Sequence, residues 1–435
     1  MEKVDCIVVG GGLAGLSAAY GLASAGVEVM VLERGNYAGA KNVTGGRLYT
    51  SVLRDVYPEL WEEARDDGGP FERPVTRELI TLLGDGAATT LELASERFSA
   101  PSPQSYTVQR ARLDRWLADK VTAKGGLIVC DMKADELLLE GGRVVGVRAG
   151  EDEVGADVTV IAEGVLGLLA SGAGLREPPR AADQALGFKE VIELPAGTIE
   201  ERFHLNEGEG AAQLFMGRVT RGMTGGGFLY TNKDSLALGV VVSLEQMRGR
   251  GDELESWRLL DEFRELPQVA PLVRGGEVAE YSAHAVAEGG VDKLPRLYGN
   301  GYLLAGEAGG LSLNALLTVR GMDFALASGR QAARAVLAAR ARGDHSAAGL
   351  SVYERFLRET FVLRDLEAYR DVPSLIENRR LFDQYPDAVA RLLEDLFTVG
   401  PDGAPSLLKT GARGARREFL RIDTLRDLWS LRKLW

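Results

Sequence analysis

Residues 4–9 (VDCIVV) form an apolar run broken only by Asp5, and a glycine triplet follows. A run of this length bounded by turn residues predicts a strand buried on both faces. Residues 14–25 (AGLSAAYGLASA) then place small and apolar side chains at helical spacing, with Gly26 as the stop signal. Residues 27–33 (VEVMVLE) read as a second buried strand. Strand, helix and strand within about 30 residues make one βαβ unit.

Farther along, 112–124 (RLDRWLADKVTAK) predicts a helix ended by Gly125-Gly126, with strands at 127–131, 143–149 and 157–162. From residue 185 to 285 the pattern turns to alternating and β-rich stretches, such as 186–194 and 236–244. These predict an inserted, mostly antiparallel lobe. The βα pattern returns at 302–306, a long helix is predicted over 321–342, and 351–435 is largely helical. The last segment sets Phe419, Ile422, Leu425, Leu428, Trp429 and Trp435 on one broad apolar face. The expected architecture is therefore α/β. A Rossmann-type dinucleotide domain occupies 1–180 and 291–345, a β lobe 181–290, and a helical C-terminal region 346–435.

Composition narrows the function. The 435 residues, 45% hydrophobic, are enough for a large core, and a net charge of −12 argues against a nucleic-acid partner. Two cysteines, Cys6 and Cys130, exclude a disulfide framework and a four-cysteine zinc or iron–sulfur site within this sequence. Cys6 falls in the first strand pattern as a small core residue. His204, His284 and His345 are far apart and show no metal-ligand spacing, so no metal is expected. The start leads straight into a strand and leaves no room for a signal peptide, and no apolar run reaches the roughly 18 residues of a membrane span. The expected location is cytoplasmic, on the inner face of the cell membrane without crossing it.

The chemistry begins at Gly10-Gly11-Gly12-Leu13-Ala14-Gly15, which matches G-x-G-x-x-G after a strand and before a helix. Gly10 permits the tight turn, Gly12 lets backbone approach a pyrophosphate, and Gly15 lets the helix pack on the sheet. Ala14 belongs to the same turn. The helix start offers free N–H groups and a partial positive charge to phosphates. Glu33, at the end of the second strand and next to Arg34, offers a carboxylate to ribose hydroxyls and would repel a 2′-phosphate. Arg320-Gly321-Met322 opens the long helix. Free N–H groups there suit the pyrimidine end of a flavin, although a plain helix start reads the same way.

No second such motif occurs, so one dinucleotide is expected. The strand ending at Gly306-Glu307 resembles the far segment of the glutathione-reductase-like FAD proteins, and Ala162-Glu163-Gly164 resembles their Ala-Asp-Gly segment. Both places carry Glu where that group usually has Asp. The resemblance implies one non-covalent FAD, with Gly306 and Glu307 at the ribityl chain. Arg110, before the helix at 112–124, is placed like the group's arginine beside the flavin; an ordinary helix-start arginine fits the same pattern.

Four blocks resemble the electron-transfer-flavoprotein:quinone oxidoreductase family in its FixC branch: KNVTGGRLY (41–49), GGGFLYTNKDSLALGVVVSLE (225–245), EYSAHAVAEGG (280–290) and LTVRGMDFALASG (317–329). The resemblance implies electron transfer from an electron-transfer flavoprotein to a quinone. The implied partners are the flavoprotein's subunits, a separate ferredoxin-like iron–sulfur subunit, quinone and the membrane surface. Since the flavin carries out the redox work, no catalytic acid or base is expected. After Lys41 and Asn42, Gly45 and Gly46 fit as close-approach glycines over the isoalloxazine, or as an ordinary turn. Phe228, Leu229 and Tyr230 are expected to face lipid at a quinone entrance or to form an ordinary sandwich strand, with His284 at the quinone head group or in the core.

Segment 409–435 holds eight Lys/Arg against three Asp/Glu, suited to anionic lipid, an acidic partner or solvent. Two other functions stay open. One is a lipid reductase or hydroxylase of the geranylgeranyl reductase type. The other is a non-catalytic scaffold carrying FAD.

Overall fold

The computed structural model describes residues 2–42, 46–66, 68–99, 103–251, 255–401, 403, 406–419 and 422–430. They fall into two compact units. One comprises Met1–Pro74, Pro101–Gln184 and Ala283–Arg370, the other Val75–Ala100, Ala185–Ser282 and Asp371–Trp435.

The first unit is built on parallel strands in the order Leu127–Val129, Val29–Leu32, Glu2–Val9, Asp152–Ile161 and Tyr302–Leu304. Cys6, Ile7 and Val8 are wholly buried, which is why the run is apolar on both faces of the pleat. Register then positions the site. Val9 lies opposite both Leu32 and Ile161, and Ile161 opposite Leu304. Gly10, Glu33, Ala162 and Ala305 therefore leave the sheet along one edge, the carboxyl edge where α/β sheets bind ligands.

Every residue of the helix Leu13–Ala23 is buried. It packs on the long helix Met322–Arg342 through small residues: a Cβ on Gly21 would stand 2.9 Å from that of Ala333, and one on Gly329 would meet the Ala14 carbonyl. The helix Val352–Glu359 belongs to this unit too, where Tyr353 donates its hydroxyl to Leu304 O at 3.0 Å.

The second unit has the strands Gln184–Glu193, Ser235–Ser243, Gly225–Thr231 and Gly210–Gly217, flanked by Glu277–Ala287 and Phe71–Leu83. The ladders between Gln184–Glu193 and Ser235–Ser243, between Gly225–Thr231 and Ser235–Ser243, and between Gly210–Gly217 and Gly225–Thr231 are antiparallel, as the sequence predicts, while the one between Gly210–Gly217 and Phe71–Leu83 is parallel. Leu229, Leu236, Leu238, Val240 and Val242 pack against Leu259, Leu260 and Phe263 of the helix Ser256–Glu265.

The four-part division drawn from sequence meets a different partition. The segment 75–100 joins the second unit, because Phe71–Leu83 pairs with Gly210–Gly217 and with Ala88–Ala94. The helical tail divides at residue 370. Among the described residues, no helix is long and apolar enough to cross a membrane.

Candidate functional site

The three motif glycines answer to different pressures. Gly10 has φ +105°, and a Cβ there would run into the Ala162 carbonyl; one on Gly15 would run into the Gly10 carbonyl. Both are fixed by backbone packing. Gly12 is different: among the described residues, the nearest atoms to a Cβ there are side-chain ends, Asn42 Nδ2 at 3.4 Å and Arg110 Nη2 at 3.7 Å. Among the described residues no side-chain hydrogen bond from Gly12 caps this helix start, and no acidic residue lies in its first turn. Free N–H groups, an amide and a guanidinium around an opening that a side chain would fill suit a pyrophosphate.

Glu33 is buried and held still: Oε2 accepts from Gly11 N–H at 2.7 Å and Oε1 from Gly35 N–H at 2.6 Å. Asp114, also fully buried, gathers the donors beside Gly12. It accepts from Arg110 Nε at 2.9 Å and Nη2 at 2.8 Å, and from Asn42 Nδ2. Sequence reasoning overlooked Asp114, whose signal was its spacing of one helical turn from Arg110. Lys41 and Arg34 are exposed. Gly46 is buried at the start of the strand Gly46–Tyr49, and Gly45 lies outside the described residues.

Ala162 and Gly164 bracket a carboxylate that points elsewhere. Glu163 accepts from Leu169 N–H at 2.7 Å and Ala170 N–H at 2.8 Å, which ties the strand end to the short helix Leu168–Gly172. Ala162, through its carbonyl, is the group that meets Gly10.

In the same unit, burial shifts Glu307, His284 and Glu288 toward their uncharged forms. Glu307 accepts from Ala287 N–H at 3.4 Å, beside Gly306. Burial pushes its carboxyl above the usual range against the pull of that N–H and of Arg110. His284 is pushed down by burial, and the positive charges of Arg110 and Arg34 add to the effect, which disfavours the charged imidazolium. Glu288 is raised by burial against a hydrogen bond from Asn314. Neither Glu288 nor Asn314 was singled out from sequence, since each is one polar residue in a mixed stretch.

Arg320 faces inward. It pairs with Asp323 at 2.6 Å and with Asp365, and its guanidinium stands 5.7, 4.9 and 4.7 Å from the ring centres of Tyr49, Phe324 and Phe361. It anchors the start of the long helix, leaving the Gly321 and Met322 backbone for any ligand contact. Among the described residues, and apart from its own chain neighbours, nothing lies within 4 Å of where a Gly321 Cβ would sit.

In the second unit, Phe228 and Tyr230 stack with ring centroids 5.0 Å apart, both half-buried. Leu229 corrects one expectation: it is 0% exposed, because alternation turns it to the opposite face, into the core. Farther on, Phe397, Val399, Leu407 and Leu408 stand 69–87% exposed, and Trp429 is also exposed. Phe419 is half-buried, while Trp435 and the side chains of Ile422, Leu425 and Leu428 lie outside the described residues. Two carboxylates of the basic segment are already paired, Asp427 with Arg380 and Glu418 with Arg391.

Comparison with known proteins gives this geometry a family. Residues 5–79 match the family of FAD dependent oxidoreductases. The chain is 43% identical to YdiS of Escherichia coli K12, named a "probable electron transfer flavoprotein-quinone oxidoreductase", over 98% of this chain and 97% of the relative. The chain belongs to the electron-transfer flavoprotein–quinone oxidoreductase family, in its FixC branch. FixC of Escherichia coli K12 is 41% identical over 93% of this chain and 92% of its own, and FixC of Bradyrhizobium diazoefficiens 40% over 94% and 93%. The resemblance stated from motifs holds, as do the cofactor, FAD, and the class, a flavoprotein oxidoreductase that transfers electrons.

Solved structures show the same fold. A geranylgeranyl bacteriochlorophyll reductase-like protein of Thermoplasma acidophilum superposes with a TM-score of 0.75 at 19% identity, covering all of both chains. The chondrochloren halogenase CndH, of myxobacterial origin, gives 0.63 at 19%, over 93% of this chain and 99% of its own.

Proposed function

We propose that this flavoprotein takes electrons from an electron-transfer flavoprotein and passes them to a quinone, at the inner face of the cell membrane and within a multi-subunit complex. The observation that carries the reading is the 43% identity, over 98% of the chain, to a relative named for both partners.

FAD, when bound, supplies the electron chemistry. The residues around its site suit holding and tuning rather than acid–base work. Gly12, Asn42 and Arg110 offer a seat for the pyrophosphate, and Glu33 a fixed acceptor for ribose. His284, whose charged form is disfavoured by burial, Arg110 and Arg34, offers an uncharged ring to the quinone head group in this reading. The half-buried Phe228–Tyr230 pair offers an aromatic wall to a quinone ring.

Electrons arriving through an iron–sulfur cluster would need a separate ferredoxin-like subunit. Two cysteines cannot ligate a four-cysteine cluster, and burial raises the Cys6 thiol to about 12. A peripheral position on the membrane is supported by the exposed Phe397, Leu407 and Leu408 close in sequence to Lys409 and Arg413.

The test is anaerobic. The FAD-loaded protein is mixed with reduced electron-transfer flavoprotein and a short-chain quinone, and the flavin absorbance is followed. Loss and recovery of the absorbance with the two partners is the expected result. No exchange with either would overturn the proposal, and rapid reoxidation by oxygen with substrate hydroxylation would replace it with a hydroxylase.

A further inference from the structure

The strands Asp152–Ile161 and Tyr302–Leu304 end together: Ile161 lies opposite Leu304, and Ala305 N–H donates to Ile161 O at 3.0 Å. Beyond that bond the two chains part. One enters Ala162-Glu163-Gly164 and the short helix Leu168–Gly172, the other the one-turn helix Gly306–Gly309. A side chain crosses between them. Arg176 Nη1 donates to the buried Ala308 carbonyl at 2.6 Å, 132 residues away in sequence, while its Nε donates to Glu177 O at 3.3 Å.

The chain makes room for this crossing. Gly167 has φ +55°, and a Cβ there would stand 2.8 Å from Arg176 Nη1 and 3.0 Å from Cζ. The guanidinium lies against bare backbone, so glycine serves both the left-handed turn and the close approach. Leu175 N–H donates to Ala170 O at 2.9 Å, which brings the chain back from the short helix to Arg176. The turn that Arg176 reaches is also held at its start, where Ser328 Oγ accepts from Gly306 N–H at 3.0 Å.

Charge is a second, independent observation. The guanidinium is half-buried, and burial works against its charged form. Among the described residues no carboxylate pairs with it. Glu163 attracts it only through space, because both Glu163 oxygens already accept from Leu169 and Ala170 N–H groups. A neutral donor would satisfy one carbonyl with less desolvation. A cation left without a counter-charge suits a neighbour that gains negative charge, as a flavin does on reduction.

We propose that Arg176 is a positioning residue for FAD: it clamps the turn Gly306–Gly309 to the loop after Glu163, and its positive charge favours the reduced flavin. This rests on FAD as the cofactor and not on quinone as the acceptor. Failure of quinone reduction would leave it standing.

Full-length, FAD-loaded variants test it through FAD release, the flavin midpoint potential and amide exchange at residues 306–310. Arg176→Met keeps the apolar stem and removes both the bond and the charge. It should release FAD about tenfold faster, with faster exchange in the turn and a lower midpoint potential. Arg176→Gln, which loses the charge, replaces it in the potential measurement should the Met variant fail to fold. Arg176→Lys keeps the charge, so its potential should stay at the wild-type value. Gly167→Ala displaces the guanidinium without neutralising it, and should match Arg176→Met in release but not in potential. Wild-type release in either Arg176→Met or Gly167→Ala, whatever the thermal stability, would overturn the clamp and leave Arg176 a brace between two loops only. A wild-type potential in the uncharged variant, or one equally low in Arg176→Lys, would overturn the role of its charge.

Discussion

Arg110 and Asp114 stand one helical turn apart, and the guanidinium grips the fully buried carboxylate through bonds of 2.9 and 2.8 Å. Asn42 donates to the same carboxylate. Asp114 thus sets two donors beside Gly12 without touching that position itself. Asp114→Ala should destabilise the protein by about 3–5 kcal/mol, because Arg110 would be left largely buried and uncompensated. It should also lower the ratio of bound FAD to protein. Thermal unfolding and the absorbance ratio measure the two effects. Unchanged FAD content would show that Arg110 and Asn42 need no such anchor.

Gly12 and Gly15 should fail differently when enlarged. Gly12→Val meets side-chain ends of Asn42 and Arg110 rather than backbone among the described residues, so the chain should fold and lose FAD. Gly15→Val drives its side chain into the Gly10 carbonyl, so the fold itself should suffer. Circular dichroism of the two variants, beside their flavin content, separates the cases. A yellow, FAD-retaining Gly12→Val protein would contradict the pyrophosphate seat.

Much of the first unit was legible because its signals are local. The run at 4–9, the glycine triplet and Glu33 follow one another in sequence, and the strand Glu2–Val9 and helix Leu13–Ala23 appear where that order puts them. The long helix was legible for the same reason. Phe71–Leu83 was not, since Pro74, Arg77 and Glu78 interrupt its apolar pattern and its partner Gly210–Gly217 lies far along the chain. Side-chain direction was the other blind spot. Leu229 was grouped with Phe228 and Tyr230, although alternation on a strand buries it; Arg320 was placed by its position at a helix start, while the partners that turn it inward, such as Asp365, are remote in sequence.

Glu163 offers a test of such direction. Both carboxylate oxygens are engaged by Leu169 and Ala170 N–H groups, so Glu163→Ala should cost roughly 0.5–2 kcal/mol, the range of a lost helix-start acceptor. FAD content should be unchanged. Denaturant unfolding gives the first quantity and flavin absorbance the second; a variant of normal stability that has lost FAD would return Glu163 to the cofactor.

His284 predicts a pH dependence whose sign follows from its surroundings. Burial, Arg110 and Arg34 all hold its pKa below the unfolded value, which is about 6.5. The unfolded chain therefore takes up the proton first as pH falls. The stability contributed by neutral His284 is complete above about pH 6.5 and declines below it toward the folded pKa. Glu288 and Glu307 act oppositely, since their carboxyls are raised and the folded state holds their protons more tightly. Wild type alone mixes these contributions. His284→Asn removes only the imidazole, so unfolding temperatures of both proteins, compared at about pH 7.5 and about pH 5.5, isolate it. The variant should lose less on acidification than wild type. Equal losses would mean that neither burial nor the two arginines lower the pKa of His284 in the folded chain.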